Sequence, residues 1–233
     1  MGTFVEDATV VLVHGAWADG SSWAKVVGPL QEQGLEVTCA QLPLSTFAED
    51  VEVVRAVVDR TSGPVLLVGH AYAGAVIGAV EHERVKGLVF VAALAPSADE
   101  AVANVLSRDP KHENAPELAP DERGYIWMPR HCFTKAFAQN ASYTEMALSA
   151  AVQRPISVEC ITVPVKTTTW TSKPSWFLVA NEDRMINPAT QRFMAERMGA
   201  TVVVEDVDHT PLISAHEAVE AVVLGAARAV LKG

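Results

Sequence analysis

Cysteine is scarce in this chain. Cys39, Cys132 and Cys160 are odd in number and far apart, which suits neither a disulfide framework nor a zinc site, so all three are expected to be reduced and structural. Long apolar runs are also missing. Although 49% of the residues are hydrophobic, none of the runs reaches the roughly 18 to 20 residues of a membrane span, and Met1 to Asp7 has no signal-peptide pattern. A cytoplasmic protein without a membrane partner is expected. Basic residues are in the minority, 18 Lys and Arg against 28 Asp and Glu, and the resulting charge of −10 disfavours phosphate backbones and anionic lipids. No nucleic-acid partner is expected. Glycine-rich phosphate loops and dinucleotide fingerprints are absent too, and no pair of histidines has the spacing of a metal site, so neither cofactor nor metal is predicted. A small, mostly uncharged molecule is the partner left, and nothing in the chain fixes an oligomeric state.

What is present is organised around Pro64 to Ala75, where a short β-branched run ends in the small residues of Gly69-His70-Ala71-Tyr72-Ala73-Gly74. A buried strand driven into a sharp turn, with an alanine- and valine-rich helix over Tyr72 to His82, has the pattern of a nucleophile elbow, G-x-S-x-G. In that motif the central residue is strained and its side chain stands exposed. Here the central residue is Ala71.

The rest of the chain alternates. Strands are predicted at Ala8 to Val13, Leu35 to Leu42, Val85 to Leu94, Ser175 to Ala180 and Thr201 to Val207. Helices are predicted at Trp23 to Gln33 (capped by Ser21 or Ser22), Phe47 to Thr61, Ala189 to Met198 and His216 to Leu231. Such alternation specifies an α/β protein with a mostly parallel sheet, helices on both faces and a ligand site at the carboxyl ends of the strands. One domain over residues 1–233 is expected. Residues 97–173 break the rhythm with mixed prolines, charges and aromatics and no clear strand. They read as a helical lid insertion, with short helices at Tyr125 to Pro129 and Phe133 to Phe137.

Three loops at the carboxyl ends of predicted strands carry polar groups: His14-Gly15-Ala16-Trp17, Asn181-Glu182-Asp183-Arg184 and Asp208-His209-Thr210. With the elbow, the order elbow, acid, histidine is that of α/β-hydrolases. These segments resemble the small, lidded α/β-hydrolase family that includes plant methylesterases and hydroxynitrile lyases, and the chain is similar over nearly its whole length to bacterial members of that superfamily. The resemblance implies that His209 is the general base, that Asp183 orients it and that the backbone N–H groups of Ala16 and Tyr72 form an oxyanion hole. From the residues alone, Glu182, Asp206 and Asp208 compete with Asp183 for the acid. His14 and His70 read as holding loop backbone, and His82 and His216 as solvated helix positions. Trp17, Trp127 and Phe133 are candidates for core or for substrate-binding positions in the pocket, and His112 and His131 in the lid are candidates for substrate contact.

Ala71 departs from the family at the nucleophile. Without a hydroxyl there, an acyl-enzyme cannot form at the elbow. The functional class implied is hydrolase, of esterase or lactonase type, acting on a small carbonyl or ester compound with the serine replaced. Two alternatives are non-covalent general-base chemistry by His209 and Asp183, as in a lyase, cyclase or isomerase, and an inert binding protein on the same scaffold.

Overall fold

The computed structural model describes residues 4–233; the first three residues of the Met1 to Asp7 stretch lie outside them. Six parallel strands form the sheet: β1 (Thr9–Val13), β2 (Glu36–Ala40), β3 (Val65–His70), β4 (Val85–Val91), β7 (Ser175–Ala180) and β8 (Thr201–Glu205), in the order β2-β1-β3-β4-β7-β8. The central strands are apolar on both faces because helices cover both. Along β1, Val11 and Val13 enter one core while Val10 and Leu12 enter the other; in β3, Val65 and Leu67 part from Leu66 and Val68 in the same way.

One face is covered by α2 (Phe47–Asp59), α3 (Ala73–Gly78) and α8 (Pro188–Arg197), through Val54, Val58, Ile77 and Met194. The other is covered by α1 (Ala24–Glu32) and α10 (His216–Val230), through Val26, Leu30, Val219 and Val223. A short helix α9 (Pro211–Ser214) precedes α10. The first connection runs from β1 out to β2 and the next returns past β1 to β3. The order therefore reverses between β1 and β3, and a crevice opens where their carboxyl ends part. Among the described residues no helix is long and apolar enough to cross a membrane.

Between β4 and β7 the chain forms α4 (Val102–Leu106), β5 (Tyr125–Ile126), α5 (Arg130–Cys132) continuing into a π-helical turn at Phe133–Phe137, α6 (Tyr143–Val152), β6 (Ile156–Ser157) and α7 (Glu159–Thr162). This segment corrects several expectations. Tyr125 and Ile126 are extended and pair antiparallel with Ser157 and Ile156 instead of forming a helix. The cause is local: the Asp121 carboxylate accepts the N–H groups of Arg123 and Tyr125, and Gly124 turns the chain at φ +81°. The ten-residue α6 was not anticipated, although Ser142 and Glu145 form a capping box at its start.

Outside that segment three features differ from expectation. Asp19, not Ser21 or Ser22, caps the turn before α1, accepting from the Ser21 N–H. The elbow helix stops at Gly78, so His82 is not on it. The His82 ring instead lies between Asp59, 3.1 Å from its Nε2, and the Arg84 N–H. His216 is not a free solvated position either, since its Nδ1 lies 2.7 Å from Glu220.

Candidate active site

Strand β3 delivers the elbow. Gly69 and Gly74 are required by close approach: a Cβ on Gly69 would stand 2.8 Å from the Ala73 carbonyl oxygen, and one on Gly74 would stand 2.5 Å from that of Leu94. Ala71, between them, has φ +51°, the left-handed region that an L residue occupies at a cost of about 1–2 kcal/mol. Hydrogen bonds over-determine this conformation. Ala71 N–H donates to Val91, and the Ala71 carbonyl accepts from Gly74 and Leu94 at 3.1 and 3.0 Å.

The loop after β1 lies against the elbow, since Val13 and Gly69 are register partners. His14 fixes that loop: its Nδ1 donates to the Gly15 carbonyl at 2.9 Å and its Nε2 accepts the Leu42 N–H at 3.0 Å. Burial lowers the His14 pKa to about 4, so the ring is neutral. Trp17 N–H is taken by the Arg154 carbonyl at 3.0 Å. By contrast the N–H groups of Ala16 and Tyr72, both in buried residues, find no acceptor among the described residues. Buried N–H groups are almost always paired, so these two are donors with capacity to spare.

The Tyr72 side chain points the other way, into a buried polar group. Its O–H donates to Asp50 Oδ2 at 2.7 Å, while Asp50 Oδ1 accepts the Leu44 N–H at 2.9 Å and Cys160 lies 3.6 Å from Oδ2. Burial raises the Asp50 pKa, and the phenol opposes the shift by hydrogen-bonding the carboxylate. Asp50 thus ties α2, the elbow and α7 together. Cys132 and Cys160 are buried, Cys39 is partly buried, and all three thiols are free, their pKa values raised by burial.

On the far side of the crevice the loops after β7 and β8 bring Asp183 and His209 together. His209 Nδ1 donates to Asp183 Oδ2 at 2.8 Å, and both residues are 2% exposed. The other candidate acids are engaged elsewhere. Asp206 accepts from Asn181, Glu182 from Asn140, and buried Asp208 from the N–H groups of Asn140 and Thr210 and the Ser214 hydroxyl. The His209 ring rests between His70 and Phe137, at centroid distances of 4.9 and 5.4 Å. His70 Nε2 donates to the His209 carbonyl at 2.7 Å, and burial, reinforced by the neighbouring His209, lowers the His70 pKa to about 3. His209 Nε2 has no hydrogen-bond partner among the described residues.

Phe137 is the aromatic residue that sequence reasoning did not single out beside His209; nothing local in Phe133 to Phe137 distinguishes it. Phe133 is fully buried and packs edge-on against Phe137 at 5.1 Å, one layer behind. Trp17 is partly buried, 6.4 Å from the Phe137 ring, with its indole N–H on the Ile126 carbonyl. Trp127 is 51% exposed with its indole N–H towards Asp121, and His131 and His112 are exposed; among the described residues none of the three bonds to or stacks on the group around His209. Nor does any cluster of three or more metal-ligating side chains occur among the described residues. Beside the site, a cavity of about 180 Å³ is lined by His70, Phe137, Leu148, Val152, Thr210 and Leu212.

A model described as the Alpha/beta hydrolase family matches residues 10–222. Salicylic acid-binding protein 2 of Nicotiana tabacum is 27% identical, over 87% of this chain and 90% of its own length. Two solved structures share the fold. A pyrethroid hydrolase from Sphingobium faniae superposes with a TM-score of 0.82 at 20% identity, covering 95% of this chain and 98% of its own. A histidine-to-alanine variant of tomato methylketone synthase I, complexed with beta-ketoheptanoate, superposes with a TM-score of 0.77 at 20% identity, covering 96% and 99%.

Proposed function

We propose a function from one premise: the chain belongs to the alpha/beta hydrolase family. On that premise it is a cytoplasmic enzyme for a small, mostly uncharged carbonyl or ester compound, and it works without a covalent intermediate. The observation that carries this reading is a buried His209–Asp183 couple at 2.8 Å in a fold whose elbow carries only the Ala71 methyl and whose Ala16 and Tyr72 N–H groups have no acceptor among the described residues. His209 Nε2 removes a proton from the carbon beside the substrate carbonyl. The C–H electron pair becomes the C=C bond of an enolate, and the former carbonyl oxygen carries its charge against the Ala16 and Tyr72 N–H groups. Asp183 holds the imidazole in the tautomer with its lone pair on Nε2 and stabilises the imidazolium that forms. The proton then returns from Nε2 to carbon or to a departing group.

The cavity beside His70 and Phe137, about 180 Å³, offers Leu148, Val152, Leu212 and Ile213 to the hydrocarbon part of such a compound, with Asp19, Lys25 and Glu145 also in its wall. A second reading, a serine esterase whose nucleophile has been replaced, draws on the φ of +51° that Ala71 keeps. Methyl beta-ketoheptanoate tests both in one experiment, since it offers an acidic α-carbon and a cleavable ester. In D2O this chain is expected to speed deuterium uptake at the α-carbon without releasing methanol, and His209→Ala to abolish that uptake. Uptake that survives His209→Ala, or no acceleration over buffer, overturns the non-covalent reading. Methanol release that appears only with Ala71→Ser supports the second.

A further inference from the structure

Gln191 lies on α8, behind the site, and the chemistry above does not use it. The side chain is fully buried and every polar contact is filled: Oε1 accepts the Ala180 N–H at 3.0 Å, and Nε2 donates to the Ile186 carbonyl at 3.0 Å and to Asp183 Oδ2 at 2.7 Å. These partners fix which way the amide faces. Turned over, its oxygen would meet a carboxylate and a carbonyl while its NH2 met an N–H, so all three contacts would become repulsive.

The two oxygens of Asp183 consequently have different duties. Oδ1 accepts the N–H groups of Met185 and Ile186, at 2.7 and 2.9 Å, which anchors the carboxylate within its own turn. Oδ2 is divided between Gln191 and His209 Nδ1. Hydrogen bonds to a carboxylate are strong, and with Asp183 only 2% exposed no solvent competes for this oxygen, so a donor added or removed at Oδ2 is felt by the other.

We infer that Gln191 is a positioning residue that apportions the charge of Asp183 Oδ2 and limits the share received by His209. Its catalytic meaning rests on the reading of His209 and Asp183 given above, but the hydrogen bond it governs can be read with no substrate present. The test is the proton resonance of His209 Nδ1–H in the full chain and in Gln191→Met, which keeps an unbranched side chain and removes the donor. A stronger bond to Asp183 moves that resonance downfield, and the inference expects a downfield move. A purely structural Gln191 would leave Asp183 loose, and the resonance would move upfield or be lost to solvent exchange; either result in a cooperatively melting variant overturns the inference. Because Gln191→Met also strips Ala180 N–H of its acceptor, Gln191→Glu serves if the first variant fails to fold. Its carboxyl keeps that acceptor, and the resonance stays in place while the new group is protonated or moves downfield once it ionises; an upfield move again overturns the inference. Failure of turnover in the deuterium experiment would leave this resonance, and so this test, intact.

Discussion

The tip of the elbow and the couple across the crevice differ in what they retain. At the tip, Ala71 keeps the left-handed backbone of a nucleophile position and has no group to attack with. A single hydroxyl group is missing there, yet the left-handed backbone remains. The acid and histidine are fully engaged: Asp183 has four donors on its two oxygens, and His209 is held at Nδ1, at its carbonyl and by ring contacts with His70 and Phe137. A scaffold kept only for its shape would need neither the buried Asp183 carboxylate nor the unpaired N–H groups, each of which costs free energy to bury. The contrast argues that the acid–base half has work of its own.

The largest effect expected from altering this contrast is a gain. Ala71→Ser completes the covalent machinery, and hydrolysis of a short-chain aryl ester should rise by about 10³-fold or more over this chain, by stopped-flow absorbance. No gain in a well-folded variant would mean that the couple and the elbow are not aligned for attack. Next comes the couple itself. Asp183→Asn leaves the shape and removes the charge that sets the His209 tautomer, so α-proton exchange should fall by about 10²–10⁴-fold in a variant that still melts cooperatively, at a lower temperature because the new amide NH2 meets N–H donors. An unchanged rate would separate Asp183 from the chemistry.

How much of this was legible in the sequence follows from which contacts are local. The strands, their parallel arrangement and the elbow could be read because alternation, β-branched runs and crowded small residues are properties of neighbouring positions, whereas the order of the strands in the sheet could not. The acid could be read only through the family resemblance: by residue type Glu182, Asp183, Asp206 and Asp208 look alike along the chain, and it is the folded loops that turn Asp183 towards His209. Gln191 sits in a polar-looking helix, Pro188–Arg197, and its burial is decided by the sheet it packs on. Helix α6 is signalled by its Ser142 and Glu145 box, whereas the extended Tyr125 and Ile126 combine the local Asp121 turn with a strand partner about 30 residues away that no neighbouring position reveals.

Two smaller effects sharpen the comparison from the tip's side. Tyr72→Phe leaves the elbow backbone but takes a donor from Asp50, destabilising by about 1–3 kcal/mol. Burial raises the Asp50 pKa and the phenol holds it down, so losing the phenol raises it further. A raised carboxyl pKa contributes stability that is present at acid pH and lost as pH rises through the folded value. The deficit of Tyr72→Phe should therefore be small at acid pH and grow towards neutral pH in denaturant titrations. Ala71→Gly should relieve the left-handed strain and change stability by no more than about 1 kcal/mol, in the stabilising direction, by calorimetry. A destabilisation of several kcal/mol would show that the Ala71 methyl fills the crevice.

The central claim is that an intact oxyanion and acid–base site surrounds a missing nucleophile. A crystal structure of this chain with methyl beta-ketoheptanoate bound tests it most directly. The expected pose puts a carbonyl oxygen about 2.7–3.1 Å from both the Ala16 and Tyr72 nitrogens, with the α-carbon about 3–3.5 Å from His209 Nε2. A ligand carbonyl bound away from those two N–H groups, with Nε2 turned from the α-carbon, would contradict it.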